Sequence, residues 1–179
     1  MIAFIRLITQ QRAAWLLLLA STLFFEFCGL FFQHVMGLTP CVMCIYERIA
    51  TLGLMAAALV ALVDPKRALF RWVGILIWGY SAIRGLQLAL RHVDYLLNPS
   101  PFNTCSVFPD FPAWLPLDSW APWFFGAYAD CAERQWSFLG WELPQWLVPI
   151  FALYLAIWLV IAIANLAQRL LITPTGSDT

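Results

Sequence analysis

The sequence predicts an all-α integral membrane protein, a single domain over residues 1–179 built as a bundle of four transmembrane helices with a long irregular loop between the third and the fourth. Three observations predict it. The 179-residue chain is 63% hydrophobic and 11% charged, with a mean hydropathy of +0.78, values that soluble domains do not reach. Four apolar runs attain the roughly 20 residues that a helix needs to cross a bilayer core. The runs also lack the period-2 alternation of barrel strands, and lipid does not tolerate unpaired backbone groups, so the crossings are helical.

The first span, about 13–32, follows Arg6 and Arg12. It is too long for the apolar segment of a signal peptide and ends in Phe32-Gln33-His34 rather than in small residues, so an uncleaved anchor is expected. A first outer loop, about 33–44, leads to a second span at 45–63. Lys66, Arg67 and Arg71 crowd the next short connection before a third span at 72–90. A second outer loop covers about 91–146, the fourth span is 147–166, and Arg169 follows it. Six of the ten Lys and Arg residues thus lie on one side, which the positive-inside rule makes cytoplasmic, together with both termini. The other side holds Asp94, Asp110, Asp118, Asp130, Glu133 and Glu142; the net charge of zero hides this division.

The second outer loop contains seven of the eleven prolines (Pro99, Pro101, Pro109, Pro112, Pro116, Pro122, Pro144), which forbid a long helix or a central strand. Within it, Trp114 to Phe125 is too aromatic for water and too broken to span, so it is expected to lie along the membrane surface.

Chemistry is concentrated in Thr39-Pro40-Cys41-Val42-Met43-Cys44. Thr39 reads as a helix N-cap and Pro40 as the first helical residue, which puts both cysteines in the first turns, where the helix dipole favours thiolate. Such a C-x-x-C pair can open and close a disulfide. Cys105 and Cys131 lie on the same outer side, where disulfides persist. Alone they would read as a staple, worth on the order of 3.5 kcal/mol in the chain-entropy view. Beside a C-x-x-C pair, exchange between two pairs is the better reading. A four-cysteine zinc site is disfavoured because Cys105 and Cys131 are 26 positions apart, and no metal centre is expected. Cys28, inside the first span, reads as a packing residue out of reach of redox chemistry.

Charges within spans point to function. Arg48 lies four residues after Cys44 on the same helical face, where its cation can stabilise a thiolate and donate to a carbonyl oxygen of a lipid-soluble acceptor. For Arg84, an internal pair with Glu26 is the structural alternative. His34 and His92 stand at outer ends of spans; a bis-histidine haem is disfavoured because neither is deep in the bundle and no C-x-x-C-H is present.

The segments Phe32-Gln33-His34-Val35-Met36, Pro40-Cys41-Val42-Met43-Cys44-Ile45-Tyr46-Glu47-Arg48, Tyr80-Ser81-Ala82, Pro99-Ser100-Pro101-Phe102, Trp114-Leu115-Pro116-Leu117-Asp118 and Asp130-Cys131-Ala132-Glu133-Arg134-Gln135-Trp136 together resemble the disulfide bond formation protein B (DsbB) family, in order and over nearly the whole chain. The resemblance implies a thiol-disulfide:quinone oxidoreductase of the bacterial inner membrane with its redox cysteines on the periplasmic side, part of the relay that keeps that compartment oxidising. It implies that reduced DsbA attacks Cys105, that Cys131 then exchanges with a Cys41–Cys44 disulfide, and that Cys44 passes electrons to ubiquinone, or to menaquinone under anaerobic conditions. Arg48, His92 and Glu47 are then expected to join Cys44 around the quinone. The partners so implied are a DsbA-like thiol oxidase, membrane quinone and the lipid bilayer, with no nucleic acid. Two other readings remain at this level. A vitamin K epoxide reductase-type enzyme would carry its outer pair before the C-x-x-C, the reverse of this order, and a non-catalytic scaffold would need no polarity around Cys44. The prolines and the 26-position gap also lead us to expect that the loop must move for Cys131 to reach Cys41.

Overall fold

The protein is described by a computed structural model covering residues 7–172, with side chains to Ala167; Arg6 and the side chain of Arg169 lie outside the described residues. Among the described residues, four helices are long and apolar enough to cross a membrane. They are α1 (Arg12–His34), α2 (Val42–Val63), α3 (Ala68–Leu97) and, after the long loop, α6 (Leu143–Ile172). Between α3 and α6 lie two single-turn helices, α4 (Leu117–Trp120) and α5 (Pro122–Phe125), and a minimal antiparallel hairpin of β1 (Ser137–Phe138) and β2 (Trp141–Glu142). The fold is the expected four-helix membrane bundle.

Close approach rather than hydrophobic exclusion holds such helices together, since lipid is as apolar as leucine. On α2 the buried face is Ala50, Leu54, Ala57, Ala58 and Ala61. Glycines of α3 admit its neighbours: a Cβ on Gly74 would stand 2.8 Å from that of Ala61, and one on Gly85 would collide with the Phe151 ring of α6. Trp158 of α6 fits over Gly79 and donates through Nε1 to the Ile75 carbonyl at 2.7 Å. Helix α1 contributes the stripe Trp15, Leu18, Thr22 and Glu26, and meets α6 where Tyr154 donates to Ser21 Oγ at 2.9 Å. Leu17, Phe24, Phe27, Leu59, Leu76 and Leu153 are exposed on the outside of the bundle, the surface that lipid covers.

Three boundaries differ from expectation, each for a local reason. Helix α3 runs 30 residues, about 45 Å, beyond the roughly 30 Å hydrocarbon core, because Arg91, His92 and Asp94 lower hydropathy without breaking the helix. His92 is therefore a helical residue packed inside the bundle and not the beginning of a loop. Helix α6 starts before Pro144, which sits in its first turn, where a missing N–H costs nothing. The cap of α2 is Cys41, not Thr39. The Thr39 hydroxyl and carbonyl instead accept from Gln135 Nε2, each at 3.0 Å, and the Pro40 carbonyl accepts from the backbone N–H of Tyr128 at 2.8 Å. Cys41 bridges Ala129 in parallel, so residues 39–41 are held extended against the loop until the helix begins.

Candidate functional site

The N-cap position gives Cys41 a specific task. Its Sγ accepts from the Cys44 backbone N–H at 3.3 Å, a bond that a helix N-terminus offers most readily to an anion. The two sulfurs stand 3.0 Å apart as free thiols, whereas Cys105 and Cys131 are joined in a disulfide. Cys131 is buried in one cluster with Cys41 and Met43, against which Cys44 and Cys105 also pack. The movement expected from the prolines and the 26-position gap is not needed for the two pairs to pack in one cluster: loop residues 128 and 129, hydrogen-bonded to Pro40, hold Cys131 beside Cys41. Cys105 is the half-exposed sulfur of its pair, flanked by exposed Phe102, Val107 and Phe108.

Behind Cys41 stands a carboxylate and an imidazole. His92 Nε2 lies 3.4 Å from Cys41 Sγ, and its Nδ1 lies 3.0 and 3.2 Å from the two Glu47 oxygens. Both residues are buried. Glu47 fixes the ring's orientation and leaves Nε2 facing the sulfur, where it can receive or return a proton. His92 was expected beside the quinone; the structure sets it against Cys41 as well as in the wall of the cavity described next.

Arg48, one turn past Cys44, is buried and held from four directions. Nη1 donates to Gln33 Oε1 at 2.9 Å and to the Phe124 carbonyl, Nε lies 3.6 Å from Glu26 Oε2, and the guanidinium rests 4.7 Å from the Phe124 ring centroid. A buried guanidinium requires such a set of acceptors, because an unpaired charge there costs several kcal/mol. Glu26 thus pairs with Arg48 and not with Arg84. Arg84 is exposed and donates to Gln87 Oε1 at 3.2 Å, which turns its side chain toward the cysteine end of α3.

These groups border one cavity of about 310 Å³ at the seam between α1 and α6. Phe25, Phe32, Leu147 and Ile150 make its apolar wall; Cys41, Cys44, Glu47, Arg48 and His92 make its polar end. Cys28 lines it too and is half-buried, so it is not the wholly packed residue that its position within a span suggested. His34 ends α1, exposed, 6.4 Å from the Trp123 ring centroid.

The sequence reading missed Gln33 and Phe124. A signal for the first was present: Glu26, Gly29 and Gln33 fall at i, i+3 and i+7 and so share a face, and Gly29 lets that face approach Arg48, whose Nη2 would lie 3.5 Å from an added Cβ. No local pattern marks Phe124, since its main contribution is a backbone carbonyl. Its neighbour Trp123 is anchored in the same way, its carbonyl accepting from Gln33 Nε2 at 2.9 Å.

The family model described as disulfide bond formation protein DsbB matches residues 11–161. A disulfide bond formation protein B from Aeromonas salmonicida is 57% identical over 168 residues, 94% of this chain and 97% of the relative. The protein of that name from Aeromonas hydrophila is also 57% identical, with the same coverage, and the one from Vibrio cholerae is 52% identical over 160 residues, 89% of this chain and 92% of the relative.

Proposed function

Since the chain belongs to the disulfide bond formation protein B family, and is accordingly a multi-pass membrane oxidoreductase that forms disulfides, we propose that it reoxidises a soluble DsbA-like thiol oxidase and delivers the electrons to membrane quinone. The observation that carries this reading is a continuous row of sulfurs: half-exposed Cys105, buried Cys131, then Cys41 and Cys44 at the polar end of a cavity with an apolar wall. One end suits a soluble thiol and the other a lipid-soluble acceptor. The basic connection at Lys66, Arg67 and Arg71, opposite the cysteines, supports insertion in the bacterial inner membrane with the cysteines in the periplasm.

The partner's thiolate attacks Cys105, breaking the Cys105–Cys131 bond and releasing Cys131 as a thiolate. Exposed Phe102, Val107 and Phe108 offer that partner an apolar strip around the attacked sulfur. Cys131, already packed on Cys41, attacks it, which forms a Cys41–Cys131 disulfide and releases Cys44 as a thiolate; the partner's second thiol then displaces Cys105 and leaves as the oxidised partner, and Cys105 attacks Cys131 to re-form the outer disulfide and free Cys41, so that Cys41 and Cys44 hold the two electrons. His92, oriented by Glu47, takes the proton of Cys41, and Arg48 faces the cavity as a fixed donor and counter-charge beside Cys44.

A quinone ring fits the cavity by two criteria: a volume within the range of small-molecule sites, and a lining that joins apolar side chains to the Cys41–Cys44 pair, Arg48 and His92. Cys44, Arg48, His92 and Glu47 would hold it. Ubiquinone, or menaquinone under anaerobic conditions, supplies a two-electron, two-proton acceptor. Anaerobic mixing of the purified protein with reduced DsbA and ubiquinone tests the reading: loss of quinone absorbance in step with DsbA oxidation is expected, and DsbA oxidation without quinone reduction would overturn it.

A further inference from the structure

We propose that the reduced Cys41–Cys44 pair is also a binding site for a thiophilic divalent cation, Zn²⁺ foremost, with Cys41 Sγ, Cys44 Sγ and His92 Nε2 as its protein ligands. These three atoms all lie within 4.8 Å of one another. Tetrahedral zinc with bonds of about 2.3 Å to sulfur and 2.0–2.1 Å to nitrogen separates sulfur from nitrogen by about 3.6 Å and sulfur from sulfur by about 3.8 Å. The Cys41–His92 distance of 3.4 Å nearly meets the first value, and the 3.0 Å between the sulfurs meets the second after a widening of about 0.8 Å. Rotation of the half-buried Cys44 side chain can supply that.

The surroundings are those of a metal centre. A zinc-bound histidine usually donates its other ring N–H to a carboxylate, which fixes the tautomer and raises the basicity of the ligating nitrogen; Glu47 stands on Nδ1 in that role. Two thiolates balance a divalent charge, which lowers the cost of holding either anion in a buried place. The cavity beside the pair leaves a fourth position for water. Four cysteines at these spacings disfavour zinc, but here the third ligand comes from α3, 51 positions from Cys41, and only the fold reveals it.

Binding forms two Zn–S bonds and one Zn–N bond to neutral His92, releases the two thiol protons and moves no electrons. The disulfide offers no thiolate and does not bind. The site is therefore redox-gated, and a metal-held pair cannot close to a disulfide, so zinc arrests the protein in its reduced state. This consequence rests on the proposed relay, but the binding itself does not, and it is measured without partner or quinone.

The test uses full-length protein in detergent under nitrogen, carrying Cys105→Ser and Cys131→Ser so that the outer pair contributes no thiol, reduced with a phosphine that is then removed, and titrated with Co²⁺ followed by Zn²⁺. One Co²⁺ per chain is expected, with the intense visible bands of a tetrahedral thiolate site, displaced by Zn²⁺ and absent after the inner pair is oxidised. Cys44→Ser should abolish the bands, and Glu47→Gln should weaken binding about 10- to 100-fold. His92→Ala should weaken it at least tenfold. Because His92 is buried, a second measurement covers a folding defect: without any substitution at His92, stoichiometric Zn²⁺ should protect Cys41 and Cys44 from maleimide, counted by mass. Absence of bands at stoichiometric Co²⁺, or bands that survive Cys44→Ser or oxidation, would overturn the proposal, as would unchanged affinity in a folded His92→Ala protein.

Discussion

The two cysteine pairs occupy opposite mechanical settings. Cys41 and Cys44 sit at the start of a transmembrane helix, buried or half-buried, with an imidazole, two carboxylates and a guanidinium around them. Cys105 and Cys131 belong to a proline-broken loop, and no ionisable side chain hydrogen-bonds to either among the described residues. The inner pair is thus set in a rigid polar frame suited to moving protons and electrons. The outer pair is placed by backbone hydrogen bonds to Pro40 and offers one sulfur to the solvent. Thiol exchange needs little beyond access and a thiolate, whereas reducing a lipid-soluble acceptor needs charge held where water is scarce.

The largest expected effect separates the pairs outright. Cys44→Ser should reduce quinone turnover to background with every electron donor, measured as quinone absorbance against time. A variant that still turned over with a small dithiol would assign quinone reduction elsewhere.

Arg48→Ala comes next. It removes the cation at the polar end of the cavity and also leaves Glu26 buried without its partner, so quinone reduction should fall tenfold or more, about 1.4 kcal/mol or above in transition-state stabilisation. Exchange with DsbA should change far less. Arg48→Lys should recover only part, because an ammonium cannot serve Gln33, Glu26 and the Phe124 carbonyl together as the planar fork does. Full rescue by Lys would reduce the role of Arg48 to charge alone.

The comparison is sharpened by the segment that joins the two settings. Trp114, Trp120 and Trp123 are exposed, as a surface-lying segment requires, yet the carbonyls of Trp123 and Phe124 are bonded to Gln33 and Arg48. Replacing Leu115, Leu117 and Trp120 by polar residues should slow exchange between the pairs by about fivefold, roughly 1 kcal/mol, while quinone reduction by a small dithiol stays near its original rate. An unaltered rate with DsbA would make the segment a surface anchor only. The smallest effect belongs to Cys28→Ala: a change within about twofold, under about 0.5 kcal/mol, visible in the quinone KM because Cys28 lines the cavity.

What the sequence made legible was short-range. Hydropathy located the four crossings, and the spacing of Cys41, Cys44 and Arg48 placed those side chains on one helical end. Contacts between helices were not legible, because they depend on how each helix is rotated about its axis. Glu26 could be assigned to Arg84 on depth alone, but Arg84 faces outward and Arg48 faces in. Similarly, 26 positions of chain between Cys105 and Cys131 say nothing of the distance from Cys131 to Cys41, which is set by the bonds of residues 128 and 129 to Pro40. The His92 contact with Cys41 needed the extra turns of α3, which lie past the end of the apolar run.

The proposed relay has two separable stages, one for each cysteine pair. The most direct measurement is the anaerobic rate of ubiquinone reduction by the Cys105→Ser/Cys131→Ser protein, supplied either with dithiothreitol or with reduced DsbA. Reduction with dithiothreitol is expected at a rate close to that of the unmodified protein, and none above background with DsbA. Loss of both activities, or retention of both, would contradict the two-stage relay.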